Sequence, residues 1–251
     1  MVNQHQKQFK ILLIGDSCLD VYVLSTVERI SPEAPVPVCK MIESFELPGM
    51  AANVKENLEK LNVDVEFLSG CLGTKTRIID KRSNQHMIRI DDDVTSDILD
   101  ITNISYEGFD AVVISDYDKG LLDYDTICTI ISDCRSLDLP VFVDTKKRDL
   151  EKFEGAYIKI NEFELKNSIS NSSKLIVTHG GNSVIYKNKE FKVPKTDIVD
   201  VCGAGDTFLA ALVYKFLDTK SIDVAIKFAI CAAGKTVQKM GVYAPKLEEI
   251  V

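Results

Sequence analysis

Asp200-Val201-Cys202-Gly203-Ala204-Gly205-Asp206-Thr207 lies between an apolar stretch and a long apolar run with helical spacing, and the reading of the chain starts there. Small residues let backbone amides approach an anion with no Cβ in the way. The helix predicted from residue 204 adds free N–H groups and the positive end of its dipole. Together these suit the charge of a phosphoryl group in transfer. Asp206 falls in the first turn, where the dipole favours its ionised form. Such a carboxylate beside an anion hole can take a proton from an attacking hydroxyl. A plain helix start would use the same residues, with glycine for the turn and aspartate for the dipole. Two neighbouring motifs do not fit. Gly203-x-Gly205 has Phe208 where a dinucleotide fingerprint has its third glycine, and residues 70–76 lack P-loop spacing.

Outward from that turn, short apolar runs alternate with helical patterns. Strands are predicted at 110–115, 141–144, 157–160 and 175–178, with a helix at 124–137 and long helices at 204–217 and 222–240. Earlier, 9–15 and 65–69 read as strands and 51–61 as a helix. Residues 77–81 with 86–90, and 183–186 with 190–193, read as hairpins. Pro35 and Pro37 mark 36–47 as an edge strand or flap. Helices between short apolar strands argue for an α/β fold, a mostly parallel sheet covered on both faces. With no repeat or linker in view, one domain over 1–251 is expected. Its β lid would span about 21–47, with 75–91 as a candidate second part.

Composition narrows the function. The 251 residues are 45% hydrophobic and carry a net charge of −8, which repels polyphosphate backbones and argues against nucleic acid. The seven cysteines are scattered, with no C-x-x-C pair, and read as reduced thiols. His5, His86 and His179 are isolated, so no zinc constellation is expected. The polar stretch 1–10 has no apolar signal core, and no apolar run is long enough for a membrane span. A cytoplasmic location is therefore expected.

Three motifs in order give a resemblance. Gly203-Ala204-Gly205-Asp206 with Asp200 is similar to the C-terminal motif of the ribokinase/PfkB carbohydrate kinases. Gly49-Met50-Ala51-Ala52-Asn53 resembles their Gly-Gly-x-x-Asn, and Asn161-Glu162-Phe163-Glu164 their N-x-x-E. Residues 29–38 (Arg-Ile-Ser-Pro-Glu-Ala-Pro-Val-Pro-Val), 115–120 and 144–149 further resemble the D-glycero-β-D-manno-heptose 7-phosphate kinases. The resemblance implies a ribokinase-like three-layer sandwich that moves the γ-phosphoryl of ATP to the anomeric hydroxyl of a sugar phosphate. It implies ATP and Mg2+, with a monovalent cation as a further candidate, and a homodimer joined through the lid strands.

By the same resemblance Asp206 is the base, and Gly203, Ala204 and Gly205 form the anion hole. Asp20, Gly49 and Asn53 would hold the sugar, and Arg89 and Lys119 its distal phosphate. Lys146, Asn161, Glu164, Thr178 and Gly180 would serve the nucleotide, Glu164 also acting on Mg2+ indirectly. Caps, turns and solvated charges are the alternatives at these positions. Cys202 could be a thiol of lowered pKa or a small filler, and Lys147 and Arg148 read as surface charges. Several positions depart from the family. Met50 replaces a glycine, Ser183 stands where the nucleotide motif ends in glycine, and Ile230 stands where asparagine is frequent. After Gly70 the chain passes almost directly into Thr74-Lys75-Thr76-Arg77, where relatives insert a helix and a strand. The sheet face so bared would need cover, for which a dimer partner is one candidate. Another sugar kinase of this fold, or a homologue that binds without turnover, remains open; a dehydrogenase lacks its fingerprint.

Overall fold

Runs such as Ala-Val-Val-Ile-Ser-Asp and Val-Phe-Val-Asp-Thr are rich in β-branched residues and carry apolar side chains on both sides. They therefore make strands buried on both faces. A computed structural model describes residues 8–250, so His5 and most of the polar stretch 1–10 lie outside the described residues. Ten strands run in chain order: β1 Lys10–Ile30, β2 Pro37–Met50, β3 Asp64–Asp80, β4 Gln85–Asp92, β5 Ala111–Asp116, β6 Val141–Thr145, β7 Tyr157–Asn161, β8 Leu175–Thr178, β9 Ser183–Tyr186 and β10 Lys189–Lys192. The helices are α1 Ala51–Lys60, α2 Tyr124–Ser136, α3 Glu162–Lys166, α4 Ala204–Thr219, α5 Ile222–Thr236 and α6 Leu247–Ile250. No described helix is long and apolar enough to cross a membrane.

All ten strands join one sheet in the order β10-β9-β8-β7-β6-β5-β1-β3-β4, with β2 also against β1. The pairings from β3 through β1, β5, β6 and β7 to β8 are parallel. Alternation splits the core into two layers. Ile11, Leu13, Val113 and Phe142 face α1, α4 and α5, while Leu12, Ile14, Val112 and Val143 face α2. Helix α4 is apolar almost all round because it lies within the first layer, with Phe208 to Tyr214 buried.

Two strands are longer than predicted. Gly15-Asp16-Ser17 reads as a strand end, and so does Ser69-Gly70. Yet β1 and β3 continue side by side with a single register break between Gly15 and Ser17. Beyond that break β2 takes the place of β5 along β1, and β4 pairs with the distal part of β3. The result is a four-stranded extension, β2-β1-β3-β4, continuous with the central sheet. Long-range pairing overrides the local turn signal there.

The face bared by the short β3 connection is covered from within the chain. Residues 93–110 form no helix or strand, but Leu99, Ile101, Ile104, Tyr106 and Phe109 pack on the second core layer beside Leu68. Backbone bonds from Ser96 to Lys119 and from Leu99 to Leu121 hold this segment down, both at 2.8 Å. No partner subunit is needed for that cover. Helix α5 ends at Thr236, short of the predicted 240, because Val237 O accepts the amides of Val199 and Asp200 and draws the chain into a turn.

Candidate active site

The carboxyl ends of the parallel strands and the start of α4 meet at one edge of the sheet, where open α/β folds bind ligands. Gly203, the N-cap of α4, has φ +74°, a left-handed conformation that costs a side chain energy. A Cβ there would also stand 2.7 Å from Asn53 Nδ2. Asp200 ties this turn in place, one carboxylate oxygen accepting from Cys202 N (3.0 Å) and the other from Gly241 N (2.9 Å). The Ala204 amide already lies 3.3 Å from Val201 O, so Gly205 and Asp206 bring the freer amides of the turn.

Asp206 is buried and held at both oxygens. Asn53 Nδ2 donates to Oδ2 and the Tyr117 hydroxyl donates to Oδ1, each at 2.8 Å. Burial pushes its pKa up to about 6; the two hydrogen bonds and Lys159 oppose the rise. The expected effect of the helix dipole is thus outweighed by desolvation, although the group stays mostly ionised at pH 7. Lys159, in the middle of β7, is buried and bonds Asp144 of β6 at 2.6 Å. Burial disfavours its ammonium, but the Asp144 carboxylate outweighs that and raises its pKa. Its Nζ lies 3.1 Å from where a Cβ on Gly205 would sit, so the cation faces the glycine turn.

On one side of Asp206 a cavity of about 530 Å³ opens. Lys159, Asn161, Thr178, Gly180, Ala204 and Gly205 line its polar end; Val184, Val193, Ile198, Phe208, Ile230 and Val237 line the other. The predicted nucleotide residues Asn161, Thr178 and Gly180 therefore share a wall with the predicted anion hole. Asn161 and Glu164 bond each other in a capping box that starts α3. Glu164 also bonds Lys146, so these two predicted residues come together as an ion pair. Glu164 is not among the cavity's lining residues.

On the other side lie α1 and the sheet extension. Asp20 is buried and paired with Arg77 of β3, a residue the sequence reading did not single out. Arg77 also lies over the Tyr22 ring, which stacks on Phe45. Gly49 is needed for closeness: a Cβ there would stand 2.8 Å from Asp20 Oδ2 and 2.6 Å from Cys18 Sγ. Met50 takes φ +57°, so the family's glycine position is kept as a strained backbone without the glycine. Lys119 bonds Asp93 at 2.6 Å, and Lys75 lies 3.5 Å from Asp91 and 3.7 Å from Asp93. Arg89 makes two bonds to Asp91 and is 59% exposed at its side chain, so it stands at the rim.

One sequence expectation changes, and of the two readings left open for Cys202 one falls. Lys147 is a buried cation paired with Asp118 (2.7 Å) and Asp116 (3.4 Å), not a surface charge. Burial pushes the Cys202 thiol up to about 11, helped by Asp200, which removes the reactive-thiol reading. Tyr117, Lys159, Asp144 and Arg77 are the site residues the sequence reading missed. Lys159 carried a signal, a lone charge inside an apolar strand, which a parallel sheet tolerates only when paired. Among the described residues no group of three or more His, Cys, Asp or Glu side chains is placed to hold a metal ion.

Residues 132–250 match the pfkB family carbohydrate kinase. The chain is 32% identical to the Bifunctional protein HldE of Helicobacter pylori strain J99 over 303 positions, covering 96% of this chain and 65% of that protein. It is 30% identical to the protein of the same name from Haemophilus influenzae strain PittEE, covering 94% and 61%. The chain thus spans less than two thirds of these relatives. The 303 aligned positions exceed its 251 residues, so the relative holds residues this chain lacks within the shared region. A ribokinase from Thermotoga maritima superposes with TM-score 0.68 at 17% identity, covering 96% of this chain and 98% of that one. Phosphofructokinase-2 from Escherichia coli, in complex with potassium, does so with TM-score 0.72 at 14% identity, covering 97% and 96%. The chain thus has a ribokinase-like fold and is similar to the PfkB carbohydrate kinases over the segment that carries the glycine turn and its aspartate.

Proposed function

We propose that this chain moves the γ-phosphoryl of ATP to the anomeric hydroxyl of a phosphorylated sugar, D-glycero-β-D-manno-heptose 7-phosphate, to give the 1,7-bisphosphate. The observation that carries the reading is Asp206: a buried carboxylate, bonded by Asn53 of α1 and by Tyr117, beside a glycine turn that Lys159 faces and a cavity lined by Gly205 and Thr178. The choice of heptose rests on the resemblance of residues 29–38, 115–120 and 144–149 and on the relatives named above.

Asp206 takes the proton of the attacking hydroxyl. The Gly205 and Asp206 amides of the turn and the Lys159 ammonium meet the negative charge that spreads over the phosphoryl oxygens in transfer. The apolar end of the cavity takes the base, and Thr178, Gly180 and Asn161 the polar part of the nucleotide. Both Glu164 oxygens are engaged, by the Asn161 amide and by Lys146, so Glu164 would act on Mg2+ only indirectly. Bound Mg2+ neutralises phosphate charge during transfer. Asp20, oriented by Arg77, and Asn53 hold the sugar hydroxyls. The sheet extension closes over them as a lid, so that a hydroxyl and not water is the acceptor.

Lys75 and Lys119 fit the distal phosphate better than Arg89, because their side chains are more enclosed, 17% and 30% exposed, while Arg89 stands at the rim. Incubation of labelled ATP with a panel of sugars and sugar phosphates tests the assignment. The 7-phosphorylated heptose is expected to give the highest kcat/KM. The Lys75→Ala chain is expected to raise its KM about tenfold, one charge-assisted contact, with KM for ATP unchanged. Label on an unphosphorylated sugar alone would reject the substrate, and no label on any acceptor would reject turnover.

A second copy of the chain is the expected partner. Ile88 and Ile90 of β4, 53% and 52% exposed, lie on the face of the extension opposite to Arg89. Sedimentation at micromolar concentration is expected to give twice the chain mass, with a single-chain mass for the Ile88→Lys/Ile90→Lys variant. A wild-type monomer would remove this partner.

A further inference from the structure

Tyr117 follows β5 and enters none of the roles above, yet its hydroxyl lies 2.8 Å from Asp206 Oδ1. We propose that Tyr117 is a positioning residue for the base: its hydroxyl, with Asn53, keeps the Asp206 carboxylate charged and aimed in a site that excludes water. This rests on Asp206 as the base.

The side chain is anchored for such a task. The Tyr117 amide donates to Asp16 Oδ2 at 2.8 Å, and the Lys119 amide donates to the same oxygen at 3.2 Å. Asp16 is itself buried at the end of the straight part of β1, so the segment 117–119 is held to a central strand. The Lys146 ammonium lies 5.2 Å from the centre of the Tyr117 ring, on the nucleotide side. One side chain therefore spans from the Lys146–Glu164 pair to the base.

The chemistry follows from what surrounds Asp206. Asn53 of α1, Tyr117 after β5, Asp144 of β6, Lys159 of β7 and Cys18 of β1 face it or act on it electrostatically. Burial and Asp144 favour its protonated form, while Lys159, Asn53 and Tyr117 oppose them. Burial and the Asp206 charge push the Tyr117 phenol well above its ordinary range, so it donates throughout and never competes as a base. A donor to the ionised acid is bound more strongly than to the neutral one. Removing it makes Asp206 easier to protonate and leaves less of it active near neutral pH.

The test is kcat/KM against pH from 5 to 9 for wild type, Tyr117→Phe and Tyr117→Leu, with heptose 7-phosphate and ATP. The acid limb is expected to move upward by about one pH unit in both variants, so that the loss at pH 6 exceeds the loss at pH 8.5. In the Asp206→Asn background Tyr117→Phe is expected to cost nothing further. An unmoved limb with a uniform loss, or an equal further loss in that background, overturns the inference and leaves the base in place. Full activity of Asp206→Asn alone overturns the base assignment instead.

Discussion

Asp206→Asn is expected to lower kcat by about 10²–10⁴-fold while ATP still binds, since a positioned general base contributes about that much. The same substitution should make the protein more stable at neutral pH. Asp206 titrates near 6 in the fold and near 3.8 as an ordinary aspartate. Between those values the folded chain holds more protons than the unfolded one, so stability falls as pH rises through that window. At pH 7 the charged carboxylate therefore costs stability that an amide does not. A gain of about 1–3 kcal/mol is expected at pH 7, vanishing near pH 4. Turnover and urea unfolding at the two pH values check both halves. Wild-type turnover by the Asn variant would remove Asp206 from the mechanism. Equal stabilisation at pH 4 and 7 would mean that the charge is not the cause.

Lys159→Met is the second large effect. The lysine faces the glycine turn and is buried with Asp144, so its loss acts twice. A missing cation at the transferring group is expected to lower kcat by about 10²–10³-fold, as for one lost donor of an oxyanion site. Asp144 is left buried without its partner, which costs about 3–5 kcal/mol. The Lys159→Met/Asp144→Leu double variant separates the two, because it removes the orphaned charge. It should recover most of the stability and none of the activity. If it recovers both, Lys159 serves the fold alone.

The fold was legible because its signals are local. Helices α1, α2 and α4 begin at the residues expected for them, and β8 and β9 match their apolar runs to the residue. The glycine turn was legible for the same reason, since φ +74° at Gly203 and the tight approach of Asn53 demand a small residue. What was hidden depends on distant partners. Gly15-Asp16-Ser17 spells a strand end, and only the neighbouring β2 and β3 keep β1 extended beyond it. Residues 93–110 carry no periodicity, yet their apolar side chains cover a sheet face. Arg77 and Tyr117 stand 57 and 89 positions from the aspartates they bond, distances over which no spacing rule operates.

The join between the core and the extension bears on motion. In β1 and β3 the strands that build the centre also build the cover, with no flexible segment between. If it serves as a cover, it has no door-hinge; it is expected to swing as a springboard does, by flexing a hydrogen-bonded ribbon where β1 and β3 break register, from Gly15 to Ser17. Entry and exit at the cleft are then governed by the stiffness of two rails, and a residue that softens that step changes the opening without touching a ligand.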